Sequence, residues 1–374
     1  MSDSEKNQQI RQAFEKARAA RMAGKRQDAV DAWAEVLEMT ATPANLEQRQ
    51  ARMAAASESA MVFQEVGDMR KAHELLREAV AQAEAVVEQN PTPEAWLAVA
   101  GVRVNLAALL VAGRIAKEGE ETAAAALEAT AKAANKEGSV LLTFAAKMQL
   151  GSAQLLQGNA EAGAATIASS VEAGIQLVEQ GQQAALPQLI EAVARMGAGA
   201  RIAGTLQNHV GLSERVARLA EAAFQAGGPQ FVNLFIGSQM AHATWLTELG
   251  RFAQAEDVLW KAIDGSGQGA LLVSAPNFYA QAWRADDDVL EKGDLPREEV
   301  KEAWHEAIEK AEKRGADAVA VQAMRARYAM HVEKNVAPAQ EILAANNSQN
   351  SELSGLAKEV LMVLQQELNA AQPS

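Results

Sequence analysis

An all-α fold made of repeated helix hairpins is the class this sequence predicts, on three observations. Alanine dominates the 49% of residues that are hydrophobic, while aromatic residues supply only 4%, the composition of helices packed closely through small side chains. Alternating Val/Ile/Thr runs of the strand type are essentially missing, and the nine prolines fall mostly between helical patterns. Glycines placed to end a first helix recur at Gly24, Gly67, Gly113, Gly158, Gly204, Gly250 and Gly293, at spacings of 43, 46, 45, 46, 46 and 43 residues. Self-similarity at a fixed period marks a repeat array, and 374 residues exceed the usual size of one compact core.

The residues flanking the glycines carry more weight than the spacing. In the copies at Gly24, Gly67, Gly158 and Gly250, a small residue stands seven positions earlier: Ala17, Ala60, Gly151 and Ala243. Another stands five positions later, at Ala29, Ala72, Gly163 and Ala255. Nine positions later comes a bulky apolar residue, Trp33, Leu76, Ile167 or Leu259, and twelve later come Val36, Ala79, Ser170 and Ala262. Small residues at the first two sites let two antiparallel helices approach closely, and the bulky one fills the space towards the next hairpin. Glycine suits the turn because it adopts left-handed geometry without steric cost.

The segments "MAGKRQDAVDAWAEVL", "EVGDMRKAHELLREAV" and "ELGRFAQAEDVLWKAI" resemble the tetratricopeptide repeat. The resemblance implies helix-turn-helix units stacked into a right-handed superhelical solenoid whose inner groove binds peptides or protein segments. The copy at Gly158 matches in part, with Gly163 for the usual alanine, and those at Gly113, Gly204 and Gly293 match weakly. A period of about 45 residues also exceeds the family's usual length, which implies longer helices or connections.

Taken along the chain, "QNPTPEAW" ends one helix and starts the next, and "GSGQGALLVSAP" (265–276) reads as a connection between repeats. Asp294, Pro296 and two glutamates read as a capped start for "REEVKEAWHEAIEKAEK". A further hairpin runs through "AVQAMRARYAMHV" and "AQEILAAN". Residues 1–350 are thus expected to form an array of about eight hairpins with no separating linker, and 351–374 a capping helix, "LAKEVLMVLQQEL", and tail.

Several function classes are excluded at this stage. The absence of cysteine removes disulfides, thiolate metal sites and a cysteine nucleophile, and suits a reducing cytoplasm. The N-terminus has no apolar signal core and no window approaches eighteen apolar residues, so a soluble cytoplasmic protein without membrane insertion is expected. A net charge of −13 argues against nucleic-acid binding. The five histidines form no ligand pair. Asp286, Asp287 and Asp288 point about 100° apart on a helix and cannot share a face. No nucleophile elbow or phosphate loop appears, so no catalytic residue, metal or cofactor is expected.

Binding candidates lie beside the packing faces. Arg11, Arg18 and Arg21, with Lys25, follow a helical stripe next to Phe14, while Ile10, Ala13 and Ala17 form the packing side. In the resembled family such first-helix side chains line the groove, so the stripe would receive an acidic segment. In the repeat ending at Gly250, the equivalent face presents Met240, Thr244 and Thr247, with Asn233, Phe231 and Phe235 nearby; Arg325, Arg327 and Tyr328 form a weaker candidate. His242 lines a groove or fills a packing gap. The expected function is a non-catalytic scaffold or adaptor that docks a protein or peptide partner on the concave face. The alternative is a peptide sensor whose superhelix changes shape on binding, and self-association through the array ends is a further expectation.

Overall fold

The computed structural model describes residues 3–134, 136–284, 293–347 and 353–371, and every regular element among them is helical. The chain divides into two compact units, Met1–Thr205 and Leu206–Ser374. The division falls at the turn after Gly204, inside what the sequence reads as one uninterrupted array. The acidic run Asp286–Asp288 lies outside the described residues.

The first unit contains α1 (Asp3–Met22), α2 (Arg26–Met39), α3 (Leu46–Glu65), α4 (Met69–Gln89), α5 (Pro93–Ala112), α6 (Ala116–Lys132), α7 (Ser139–Leu156), α8 (Ala160–Glu179) and α9 (Leu186–Ala203). The second contains α10 (Leu206–Gly227), α11 (Val232–Glu248), α12 (Phe252–Ser266), α13 (Ser274–Trp283), α14 (Arg297–Lys313), α15 (Ala318–His331), α16 (Ala337–Asn347) and α17 (Gly355–Ala371). In each unit a helix packs chiefly on its sequence neighbours, as in a stack of hairpins.

The repeat register holds at atomic detail. Ala17, Ala29, Trp33, Val36, Ala60, Ala72, Leu76, Ala79, Ala243, Ala255, Leu259 and Ala262 are all buried. Gly24, Gly67, Gly158, Gly204 and Gly250 have φ of +70°, +86°, +83°, +68° and +72°. At each, the next residue's N–H bonds back to the carbonyl four residues before the glycine, from Lys25 to Ala20 through Arg251 to Leu246. This is a Schellman turn, which satisfies carbonyls left over at the helix end. Gly113 departs from the expectation. Its φ is −78°, and Arg114 takes the left-handed position at +59°.

The copy with two glycines in place of alanines is a close helix crossing. A Cβ on Gly151 would lie 2.8 Å from the Gly163 carbonyl oxygen and 2.5 Å from Ile167 Cγ1. The departure from the repeat pattern therefore deepens the contact it marks. The helix start read at Asp294 needs correction: its carboxylate accepts from the Phe252 N–H at 2.7 Å, while its own N–H donates to Gly250 O at 2.7 Å. Asp294 thus caps α12 of its own hairpin stack, and Pro296 precedes α14. The two residues meet because of tertiary packing, which local cap chemistry does not encode.

Helix α5 is the one helix among the described residues long and apolar enough to cross a membrane, by length and composition alone. This departs from the expectation that no window comes close. Its apolar residues lie on all sides, and Val99, Ala100, Val102, Leu106, Ala107 and Leu110 are buried in the first unit. A helix packed on several sides is apolar all round for that reason.

Candidate partner-binding grooves

The two predicted binding stripes sit in different units and are taken separately. On α1, the arginines are already answered by α3 of the same unit. Arg11 Nη2 donates to Glu47 at 2.9 Å, Arg18 Nε to Glu58 at 2.9 Å with a second contact through Nη2, and Arg21 Nη2 to Glu65 at 2.6 Å. Glu58 also holds the Arg18 guanidinium above its ordinary pKa, chiefly through the side-chain hydrogen bond. Phe14 stands edge-on to Trp33, with ring centres 5.3 Å apart, and Arg18 lies 5.5 Å from the Phe14 ring centre. A cleft of about 290 Å³ opens between these helices, beside Asn7, Ile10, Phe14, Glu47 and Ala51. An acidic partner there would have to displace this chain's own glutamates. The sequence carried that information, because Glu47, Glu58 and Glu65 lie on the following first helix at near-repeat distance.

On α11, Met240 is 37% exposed and Thr244 is exposed, its hydroxyl donating to Met240 O at 3.0 Å. Thr247 is buried and its hydroxyl donates to Ala243 O at 3.0 Å. Asn233 is exposed. Phe235 belongs to the core, stacked on Phe224 with ring centres 5.1 Å apart. These residues therefore present a narrow polar strip over an occupied floor.

His242 is buried with its Nδ1 3.0 Å from Ser213 Oγ, and its ring also borders a cleft of about 370 Å³ beside Glu214, Arg218 and Arg251. Burial lowers its pKa and keeps the ring neutral. Ser213 is itself buried within α10.

Arg327 overturns the reading of Arg325, Arg327 and Tyr328 as a surface stripe. It is only 1% exposed, and it makes two bonds to Glu367 of α17, Nε–Oε2 at 2.8 Å and Nη2–Oε1 at 2.6 Å. Its partner lies 40 residues along the chain, beyond the reach of local pattern.

A cleft that sequence reasoning missed lies on the first-helix side of the first unit. Ala108, Val111 and Ala112 of α5, Leu155 and Leu156 of α7 and Ala198 of α9 form an apolar floor, and the opening measures about 420 Å³. Arg114 and Arg195 stand over it. Arg195 bonds to Ser152 Oγ at 2.9 Å and pairs with Glu191; Arg114 has no acidic partner among the described residues. The sequence signal was the weak repeat match at Gly113.

Comparison with known proteins gives limited relatives. A family of unknown function, DUF6483, matches residues 238–312, a minority of the chain. No curated protein matches. Among solved structures, a tetratricopeptide repeat protein from Parabacteroides merdae is similar at 12% identity and TM-score 0.38, covering 84% of this chain and 99% of that one. The S. pombe nuclear import adaptor Nro1 is similar at 11% identity and TM-score 0.33, over 85% and 94% of the two chains. The TPR domain of P58(IPK) is similar at 13% identity and TM-score 0.27, over 98% and 100%. The buried small-residue register and the recurring left-handed turns, read from the chain itself, make this an all-α helical-repeat protein whose hairpins resemble the tetratricopeptide repeat.

Proposed function

We propose that this chain is a cytoplasmic, non-catalytic scaffold or adaptor that holds an extended acidic segment of a partner protein along the first-helix, concave side of its first unit. The observation that carries this reading is the cleft over α5, α7 and α9, where an apolar floor lies beneath Arg114 and Arg195. Apolar contacts supply affinity there, and cations fix the register of a carboxylate-bearing segment. In the same reading Arg11, Arg18 and Arg21 extend the basic track, with partner carboxylates exchanging for Glu47, Glu58 and Glu65.

Arg114→Gly separates binding from folding. It removes the cation and relieves a left-handed side-chain residue, a strain of about 1 kcal/mol. Acidic peptides bearing one or two apolar residues, titrated against the full chain, should bind about tenfold more weakly to the variant, while its melting temperature stays level or rises. Equal affinity for both proteins would remove this groove from the proposal. Arg18→Glu with Arg21→Glu tests the N-terminal extension in the same titration.

A further inference from the structure

The second unit has a cleft on its other side, between the second helices of successive hairpins. In the preceding gap, between α12 and α14, the chain supplies its own filler. Trp260 of α12 lies under two cations of α14, Lys310 at 4.0 Å and Arg314 at 4.7 Å from the ring centre. Arg314 also pairs with Asp264 of α12. The gap is closed by an aromatic ring and by charge.

A shift of about 45 residues, the period of the repeat, superposes α12 on α14. It brings Leu259 onto Trp304, Ala262 onto Ala307 and Ile263 onto Ile308, and all six are buried. In this register His305 stands in the place of Trp260. Its ring does not fill the next gap. It is largely exposed, stands 5.7 Å from the Tyr328 ring centre and lies 3.8 Å from Glu309. The space between α14 and α16 is accordingly open, about 560 Å³ over a floor that includes Ile308, Ala326, Ala329 and Ile342. That size falls in the range of built binding clefts, roughly 300–1,000 Å³.

The charge at the rim is reversed as well. Where Lys310 and Arg314 cover the first gap, Glu309, Glu333 and Glu341 border the second. Arg325, the rim's arginine, is occupied by Glu312 at 2.6 Å. Glu333 and Glu341 have no basic partner among the described residues. The second gap therefore lacks the apolar plug its neighbour possesses, and its arginine, Arg325, is turned to Glu312.

We propose that the α14–α16 cleft is a docking site for an amphipathic helix of a partner protein, whose apolar stripe takes the place that Trp260 fills in the preceding gap and whose flanking lysines or arginines meet Glu333 and Glu341. The site lies between second helices, over α15, and does not depend on the first-helix groove of the other unit. Helix-in-groove recognition uses such spacing, with apolar anchors at i, i+4 and i+7. Carboxylates at the rim select the sign of the partner's flank.

The test uses the full chain and two labelled helix-forming peptides, both alanine-based with leucines at i, i+4 and i+7. One carries lysines beside the leucine stripe and the other carries glutamates. Fluorescence anisotropy should show saturable binding of the lysine peptide, and about tenfold weaker binding of its acidic twin. His305→Trp, which restores the filler, should weaken the lysine peptide by about tenfold or more with unchanged helical circular dichroism. Glu333→Lys with Glu341→Lys should reverse the preference between the two peptides, and it keeps the test intact if the tryptophan variant misfolds. Equal binding of both peptides, unaltered binding to His305→Trp, or no saturation below about 1 mM would each overturn the proposal.

Discussion

Replacing Glu367 by glutamine tests how the last helix is held. The carboxylate side chain is 5% exposed and receives two hydrogen bonds from Arg327. His331 Nε2 lies 3.0 Å from its Oε2, and Arg284 reaches Oε1 from the end of α13. Burial alone would push this carboxyl up. The hydrogen bonds and charges of His331 and Arg327 outweigh burial and bring it down to about 2 from the usual 4.5. The lowered value contributes stability of about 3 kcal/mol, fully present above pH 4.5 and lost as pH falls towards 2. Glutamine preserves the shape but removes the charge and turns one of the two acceptor oxygens into a donor NH2, leaving the buried Arg327 cation with only neutral acceptors, the amide oxygen and Asn277 Oδ1 at 2.6 Å. Breaking a buried pair in this way costs about 3–5 kcal/mol. Urea unfolding at pH 7 should therefore show Glu367→Gln destabilised by about 3 kcal/mol, and the difference from wild type should shrink steadily between pH 4.5 and pH 2. Limited proteolysis should also release α17 first in the variant. A loss under about 1 kcal/mol at pH 7, or a difference independent of pH, would refute the reasoning.

Two further changes probe the repeat core. Gly151→Ala drives a methyl into the Gly163 carbonyl and Ile167, and should lower stability by about 1–3 kcal/mol in thermal or urea unfolding. Asp294→Ala removes the side-chain acceptor of the Phe252 N–H, and should cost about 1 kcal/mol, with faster hydrogen exchange confined to the first turn of α12.

What could be read from the sequence follows the range of each interaction. Ala17, Ala29 and Trp33 repeat at fixed distances from a glycine, so local periodicity exposed hairpin, turn and packing face together. Asp294 also looked like a local cap, yet its acceptor role is set 42 residues away at Phe252. Arg327 carried a surface-like residue type into the core because its partner Glu367 sits on a helix whose docking no local pattern reports. The helical spacing of Arg11, Arg18 and Arg21 is visible in the sequence, whereas their pairing to α3 depends on how successive hairpins are stacked. The cleft at Arg114 lies at a turn that breaks the repeat rule, and the α14–α16 cleft lies where His305 stands in the register of Trp260.

The pairing of α1 with α3 also bears on how the chain orders itself. Arg11, Arg18 and Arg21 of the first hairpin each meet a glutamate of the second, 36, 40 and 44 residues later. Alanine-lined hairpins of nearly equal size are close to interchangeable as packing units, and a stack built on shape alone would accept a neighbour out of turn. Opposite charges at matched heights favour the proper neighbour, and a skipped or exchanged hairpin would leave like charges or bare arginines facing each other. Duplicating or deleting the second hairpin should accordingly disturb α1 more than its buried area suggests. The ladder serves as a written address for the first repeat.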